Sequence, residues 1–187
     1  LQAQDPVHWP LESVHDECMT AFAAGHETTA ATLAWWAGCM ALHPDWQERV
    51  RAEVQAALGD TAPSGPCLPK LPLLEQTLQE TLRLYPAVPV LNTRRGIRPV
   101  SIAGWHFPAR TLFLIPVMVL HHDARWFPQP HEFRPERFAG GAPEIPRGAY
   151  LPFGAGPRVC LGQHLAMTEL QDQLVQQAHP LTATQIA

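Results

Sequence analysis

No stretch of this 187-residue chain is apolar for long enough to cross a bilayer. The longest apolar run, Thr111 to Leu120, contains Pro116 and falls far short of the ~20 residues a spanning helix needs. Charge is sparse: 16% of residues are charged and the net charge is −4, so the chain has no basic footprint for nucleic acid. Yet 46% of residues are hydrophobic, which excludes a disordered chain. Cys18, Cys39, Cys67 and Cys160 show neither the paired spacing of a zinc site nor the density of a disulfide-stapled secreted scaffold. The first three read as small buried hydrophobes. This cysteine pattern fits a reducing, cytoplasmic setting, and no signal-peptide pattern and no internal repeat is visible. The first residue is Leu1 rather than Met, which suggests an incomplete gene product.

Proline is abundant instead: 20 residues, about twice the usual share. The prolines punctuate the chain and mark its elements. None falls between Pro10 and Pro44, so Leu11 to Leu42 is predicted as one helix about 48 Å long, apolar on most sides from Phe22 onward and hence buried. Pro44 suits the first position of a second helix ending at Gly59, with Glu48–Arg51 and Arg49–Glu53 on a solvated face. Residues 60–70 read as a surface loop. Leu71, Leu74, Leu78, Leu82 and Tyr85 trace the stripe of a third helix from about Pro72 to Leu84, stopped by Pro86. Short strands follow at Val88–Leu91, Val100–Ile102, Trp105–Phe107 and Thr111–Ile115. Residues 121–152 are irregular, and a loop of that length usually has a function. A last helix is expected from Leu161 to about Ala178. The length suffices for one domain with a real core.

One decapeptide concentrates the chemistry: Phe153-Gly154-Ala155-Gly156-Pro157-Arg158-Val159-Cys160-Leu161-Gly162. It sets a cysteine on a glycine-rich loop, two residues after an arginine. Beyond it, Leu161, Leu165, Ala166, Leu170 and Leu174 recur near the helical period. A free thiol ionises near pH ~8.5, and a helix N-terminus or a cation lowers that value. Arg158 suits a carboxylate partner. A phosphate loop is a poor alternative, because Pro157 removes a donor and no lysine follows the glycines. The decapeptide resembles the haem-binding loop of the cytochrome P450 family, Phe-x-x-Gly-x-Arg-x-Cys-x-Gly, at every fixed position. The resemblance implies that Cys160 is the axial ligand of the iron of haem b (iron protoporphyrin IX). It implies that Arg158 meets a propionate and that Phe153, Gly154 and Gly162 belong to the haem-binding loop. A thiolate on haem iron favours O–O cleavage.

Other segments agree. Ala24-Gly25-His26-Glu27-Thr28-Thr29 lies inside the long helix, where a glycine costs about 1 kcal/mol and threonine hydroxyls can bond back to carbonyls. The hexapeptide therefore looks like a local opening. It resembles the family's oxygen-binding groove, which implies that Gly25 gives space and that Glu27 and Thr28 deliver protons. No second histidine follows at zinc-helix spacing. Glu80 and Arg83 form an i, i+3 pair that means little alone. The resemblance makes them the family's Glu-x-x-Arg, completed by Arg137 from Phe133-Arg134-Pro135-Glu136-Arg137-Phe138, a structural buttress for the loop. Arg94, ten residues before Gly104, best matches the family's second propionate arginine, with Arg95 as runner-up. His121-His122-Asp123 invites a metal reading, but adjacent residues rarely converge on one ion, and the family has a similar structural turn.

These segments fall in family order over roughly residues 11–178. They imply a mainly α chain with a small β region: the C-terminal part of the fold, with long central helix, Glu-x-x-Arg helix, meander, cysteine loop and final helix. Residues 1–187 would form a single partial haem-binding domain of a soluble, bacterial-type member. The implied reaction is a monooxygenation of a small hydrophobic organic substrate. Dioxygen is the oxidant, and electrons come from NAD(P)H through a ferredoxin or flavoprotein reductase. Two other readings remain: a truncated, non-catalytic remnant, and a haem-thiolate isomerase, lyase or peroxygenase, although such members often lose the acid–threonine pair. His179 to Ala187 lacks strand alternation where the family usually has a hairpin.

Overall fold

A computed structural model describes residues 10–59 and 65–178. In chain order its helices and strands are α1 (Leu11–Leu42), α2 (Pro44–Leu58), α3 (Pro72–Leu84), β1 (Leu91–Arg95), β2 (Val100–Ile102), β3 (Trp105–Phe107), β4 (Leu112–Ile115), α4 (Val117–His121) and α5 (Gln163–Ala178). Short 3-10 turns cover Gly65–Lys70, Pro135–Phe138 and Gly156–Arg158. The chain is therefore mainly α with a small β region. It divides into two compact units, one of Leu1–Leu71 with Gly162–Ala187, the other of Pro72–Leu161. The stretch His179 to Ala187 lies outside the described residues.

In the first unit, α1 matches its expected span because no proline interrupts it. It ends at His43, whose ring bonds the Cys39 carbonyl at 2.8 Å, and Pro44 opens α2. Trp46, Val50, Val54 and Leu58 form the buried stripe of α2. Arg51 donates to Glu48 at 2.7 Å on its exposed face, and Arg49 lies 3.7 Å above the Trp46 ring. α5 buries Leu170, Leu174 and Val175. Several expectations fail in this unit. α1 is not buried all round: Thr29, Thr32, Trp36, Cys39 and Met40 are buried, whereas Met19, Phe22 and Trp35 are exposed. Within this unit α2 and α5 pack against α1, and two neighbours cannot cover every side of a helix. α5 also starts at Gln163, two residues late, and leaves Leu161 and Leu165 exposed. The supposed loop carries the 3-10 turn Gly65–Lys70, and residues 60–64 lie outside the description. Cys18 is exposed, not buried.

The second unit is built on α3, whose Leu74, Leu78 and Leu82 are buried as the stripe predicts. β1 pairs antiparallel with β4, with a bulge between Leu91 and Arg94. Pairing begins at Leu91 and not at Val88, since Pro89 lacks a ladder donor and its carbonyl instead accepts the Met118 N–H at 3.0 Å. β2 and β3 form a hairpin around Ala103 and Gly104, both at positive φ (50° and 83°), the backbone of a type I′ turn. α4 is missed by the sequence reading. Its residues continue the apolar run of β4, and such a run does not distinguish strand from buried helix.

Candidate functional site

The cysteine loop up to Leu161 and the residues around it lie within the second unit, Pro72–Leu161. Glu80 and Arg83 are one turn apart on the buried face of α3, and neither is exposed to solvent. A guanidinium has five N–H donors, and the fold supplies an acceptor to each. Arg83 Nε donates to Glu80 Oε2 at 2.7 Å and Nη2 to Oε1 at 2.8 Å. Nη1 donates to the carbonyls of His121 and Pro130, both at 2.8 Å, and Nη2 to that of Glu132 at 3.2 Å. Phe127 lies under the guanidinium at 5.1 Å. Glu80 Oε1 also accepts the Arg134 backbone N–H at 2.8 Å and Arg137 Nε at 3.3 Å. Arg137 Nη2 donates to the Gln129 carbonyl at 2.8 Å. Burial pulls the Arg137 guanidinium below its usual range, against the attraction of Glu80. The three residues singled out from sequence thus meet, and they hold the irregular segment 121–137 by its main chain.

The network reaches further than the motif. His121 is buried; its Nδ1 lies 3.2 Å from the Arg83 carbonyl oxygen, and its Nε2 accepts the Leu151 N–H at 2.8 Å. Burial, opposed by the bond to the Arg83 carbonyl, lowers its pKa from 6.5 to about 4. The half-buried Tyr150 stacks on it at 5.2 Å and donates its hydroxyl to the Gln79 carbonyl at 2.9 Å. Desolvation first, and Glu80 next, hold the Tyr150 hydroxyl above the ordinary tyrosine range. His122 takes another route, bonding the Met118 carbonyl at 2.8 Å. Asp123 pairs with the exposed Arg125, whose hydrogen bonds bring its pKa to about 2. The triplet therefore faces three different partners, and no cluster of three or more histidine, cysteine or carboxylate side chains able to hold a metal ion occurs among the described residues.

The cysteine loop follows directly. The Gly154 N–H bonds the Leu151 carbonyl at 3.1 Å, Val159 N–H the Gly156 carbonyl at 3.1 Å, and Cys160 N–H the Phe153 carbonyl at 2.9 Å. Gly154 and Gly156 stand at φ +74° and +71°, where a side chain would be strained. A Cβ on Gly154 would lie 3.6 Å from Leu91, so β1 abuts the loop here, whereas Gly156 and Gly162 face open space. Cys160 and Arg158 are exposed. Arg94 is also exposed, on β1 opposite Phe113. This donor set fits haem. One accessible sulfur suffices as an axial ligand when the porphyrin supplies the equatorial nitrogens, whereas a protein-held zinc ion needs three or four side chains.

Gly25, Glu27 and Thr28 belong to the first unit, on α1. The helix runs unbroken through them, so the expected opening is absent. Thr28 Oγ1 donates to the Ala24 carbonyl at 2.8 Å and Thr32 Oγ1 to the Thr28 carbonyl at 2.9 Å, which satisfies the hydroxyls without breaking the backbone ladder. Glu27 is exposed, and a Cβ on Gly25 would meet nothing within 4 Å.

Comparison with known proteins gives a consistent result. The family model described as cytochrome P450 matches residues 2–176. Among curated proteins, the chain is 44% identical to cytochrome P450 734A4 of Oryza sativa subsp. japonica, over 86% of this chain and 32% of that protein. It is 47% identical to cytochrome P450 714B1 of the same plant, over 84% and 30%. Among solved structures, a zebrafish cytochrome P450 described with progesterone aligns with TM-score 0.77 and 39% identity, over 85% of this chain and 36% of that one. The chain thus spans about a third of the length of the proteins it matches. The plant relatives overturn the expected bacterial type. A chain covering a third of its relatives says nothing about an anchor elsewhere. No helix among the described residues is long and apolar enough to cross a membrane.

Proposed function

The chain belongs to the cytochrome P450 family, and from that premise we propose that it carries the haem-thiolate site of a monooxygenase. Cys160 would hold the iron of haem b through its thiolate. The observation that carries this reading is the exposed Cys160 sulfur on a loop pinned by its own backbone, beside a fully satisfied Glu80–Arg83 network. Haem, when bound, supplies the redox-active iron at which dioxygen is reduced. Phe153 fixes the loop through its carbonyl, and Gly154 keeps the turn that precedes it. Gly162 leaves the loop's far end without a side chain. Arg158 and Arg94 would pair with the two propionates through charge-assisted hydrogen bonds.

On α1, Gly25 offers room by its missing side chain. Glu27 holds a proton at its carboxyl and Thr28 passes one at Oγ1. The balance is one organic C–H bond, one dioxygen, two electrons and two protons giving one C–O–H group and one water. The electrons come from NAD(P)H through a ferredoxin or flavoprotein reductase, and the substrate is a small hydrophobic organic molecule. A thiolate ligand requires Cys160 to stay reduced, which suits a reducing compartment such as the cytoplasm. Residues 1–187 act as part of one haem-binding domain.

The test is spectroscopic. The full chain loaded with haem, reduced and treated with carbon monoxide, is expected to show the red-shifted Soret band of thiolate-ligated haem. Cys160→Ala should abolish it. An unchanged spectrum in Cys160→Ala would remove Cys160 as the ligand.

A further inference from the structure

A neutral imidazole has one nitrogen that donates and one that accepts. Both roles are taken at His121. Nδ1 lies 3.2 Å from the Arg83 carbonyl oxygen, which carries no hydrogen, so Nδ1 holds the proton. Nε2 receives the Leu151 N–H at 2.8 Å, so Nε2 keeps its lone pair. A second proton would set an N–H against an N–H at a side chain with no exposed surface. The neutral Nδ1–H tautomer is therefore built into the fold.

The two atoms joined by this ring have different meanings. The Arg83 carbonyl is one of the last-turn carbonyls of α3, which the helix itself leaves without a donor. It belongs to the residue at the centre of the buried network. Leu151 opens the segment that ends at Cys160: its carbonyl takes the Gly154 N–H, and the Phe153 carbonyl takes the Cys160 N–H. Tyr150, stacked on the ring, ties the same segment back to α3 at Gln79. One imidazole thus stands where α3, α4 and the cysteine loop converge.

We infer that His121 is a positioning residue for the haem ligand: as a neutral imidazole it transmits the fixed geometry of the Glu80–Arg83 network to Leu151 and, through the short turn after it, to Cys160. The inference rests on the reading of Cys160 as the haem ligand. Its surroundings oppose a second proton. Arg83 from α3 and His122 beside it repel positive charge, burial disfavours it most, and the pKa falls to about 4. Glu80 on α3 is occupied by Arg83, Arg134 and Arg137, and Tyr150 faces the ring as a neutral phenol. At neutral pH the clip is closed; acid opens it.

The experiment separates the two ends of the ring in the full chain. In His121→Gln the amide oxygen reaches the Nε2 position and still accepts from Leu151. In His121→Asn the shorter amide reaches the Nδ1 position, keeps the Arg83 carbonyl and abandons Leu151. With haem loaded, the thiolate share of the reduced, carbon-monoxide-treated protein should fall at least fivefold at pH 7.5 in His121→Asn and stay near wild type in His121→Gln. Acidification toward pH 4 should erode that share sooner in wild type than in His121→Gln. In the haem-free chain, hydrogen exchange at the Leu151 amide should quicken about tenfold in His121→Asn alone. Equal shares and equal Leu151 exchange in the two variants would overturn the inference. Should wild type itself lack the thiolate band, the ligand assignment fails, while the exchange contrast still judges the clip. If His121→Asn does not fold, wild-type exchange at Leu151 decides, corrected for its intrinsic pH dependence. Faster opening near pH 4 supports the clip, and a flat profile overturns it.

Discussion

Arg83 shows how far a single residue can be read from sequence. Its spacing from Glu80 is visible, but i, i+3 acid–base pairs usually lie in water and contribute about 0–1 kcal/mol. Only the resemblance lifted the pair out of that class, and only the structure shows why it differs: zero exposure and five donors met by five acceptors. His121 was read as part of a structural turn. Its two bonds were not legible, since they run to a carbonyl 38 residues away and an amide 30 residues away. Arg83→Ala should lose about 3–5 kcal/mol, because the buried Glu80 would lose two of its four hydrogen bonds and the carbonyls of His121, Pro130 and Glu132 would lose their donor. Arg83→Lys, with three donors in place of five, should recover only part of that. Urea denaturation of the full chain would measure both, and a loss below about 1 kcal/mol for Arg83→Ala would contradict this account.

At the scale of elements, proline placement and apolar spacing carried most of the information. α1, α2 and α3 begin and end where prolines and stripes place them. α4 escaped because its five residues continue a strand-like run, and β1 started late because proline cannot pair. The hairpin of β2 and β3 was found from Gly104 as a turn residue, yet its partner Ala103 also sits at positive φ, which costs a side chain some strain. Ala103→Asn would give the turn the Asn-Gly pair that type I′ geometry favours. A gain of about 0.5 kcal/mol is expected, read as a roughly twofold slowing of hydrogen exchange in the β2–β3 ladder. Exchange that quickens instead would show that the turn does not limit the hairpin.

For the whole molecule, the consequence is a stability that depends on acid. The folded pKa of His121 lies below its unfolded value, so the unfolded chain binds the proton first. Its contribution is complete above about pH 6.5, declines as pH falls through the window to about 4, and levels off below it. A shift of that size corresponds to on the order of 3 kcal/mol. Asp123, held near pH 2 by Arg125, adds a smaller decline between 3.8 and about 2. Urea midpoints should therefore drop between pH 7 and 4.5 in wild type and drop less in His121→Gln. Parallel curves would mean that the ring accepts a proton without cost. The sequence announced ten histidines but not that the fold keeps His121 neutral, since that depends on what lies above and behind its ring.

Three of the five Arg83 hydrogen bonds end on main-chain carbonyls, those of His121, Pro130 and Glu132. Every amino acid presents the same carbonyl, so a grip of this kind is blind to what the gripped residues are. Relatives can therefore drift at the positions of Pro130 and Glu132 while Glu80 and Arg83 stay fixed. The irregular segment is free to diversify its outward face without loosening its seat beside the cysteine loop.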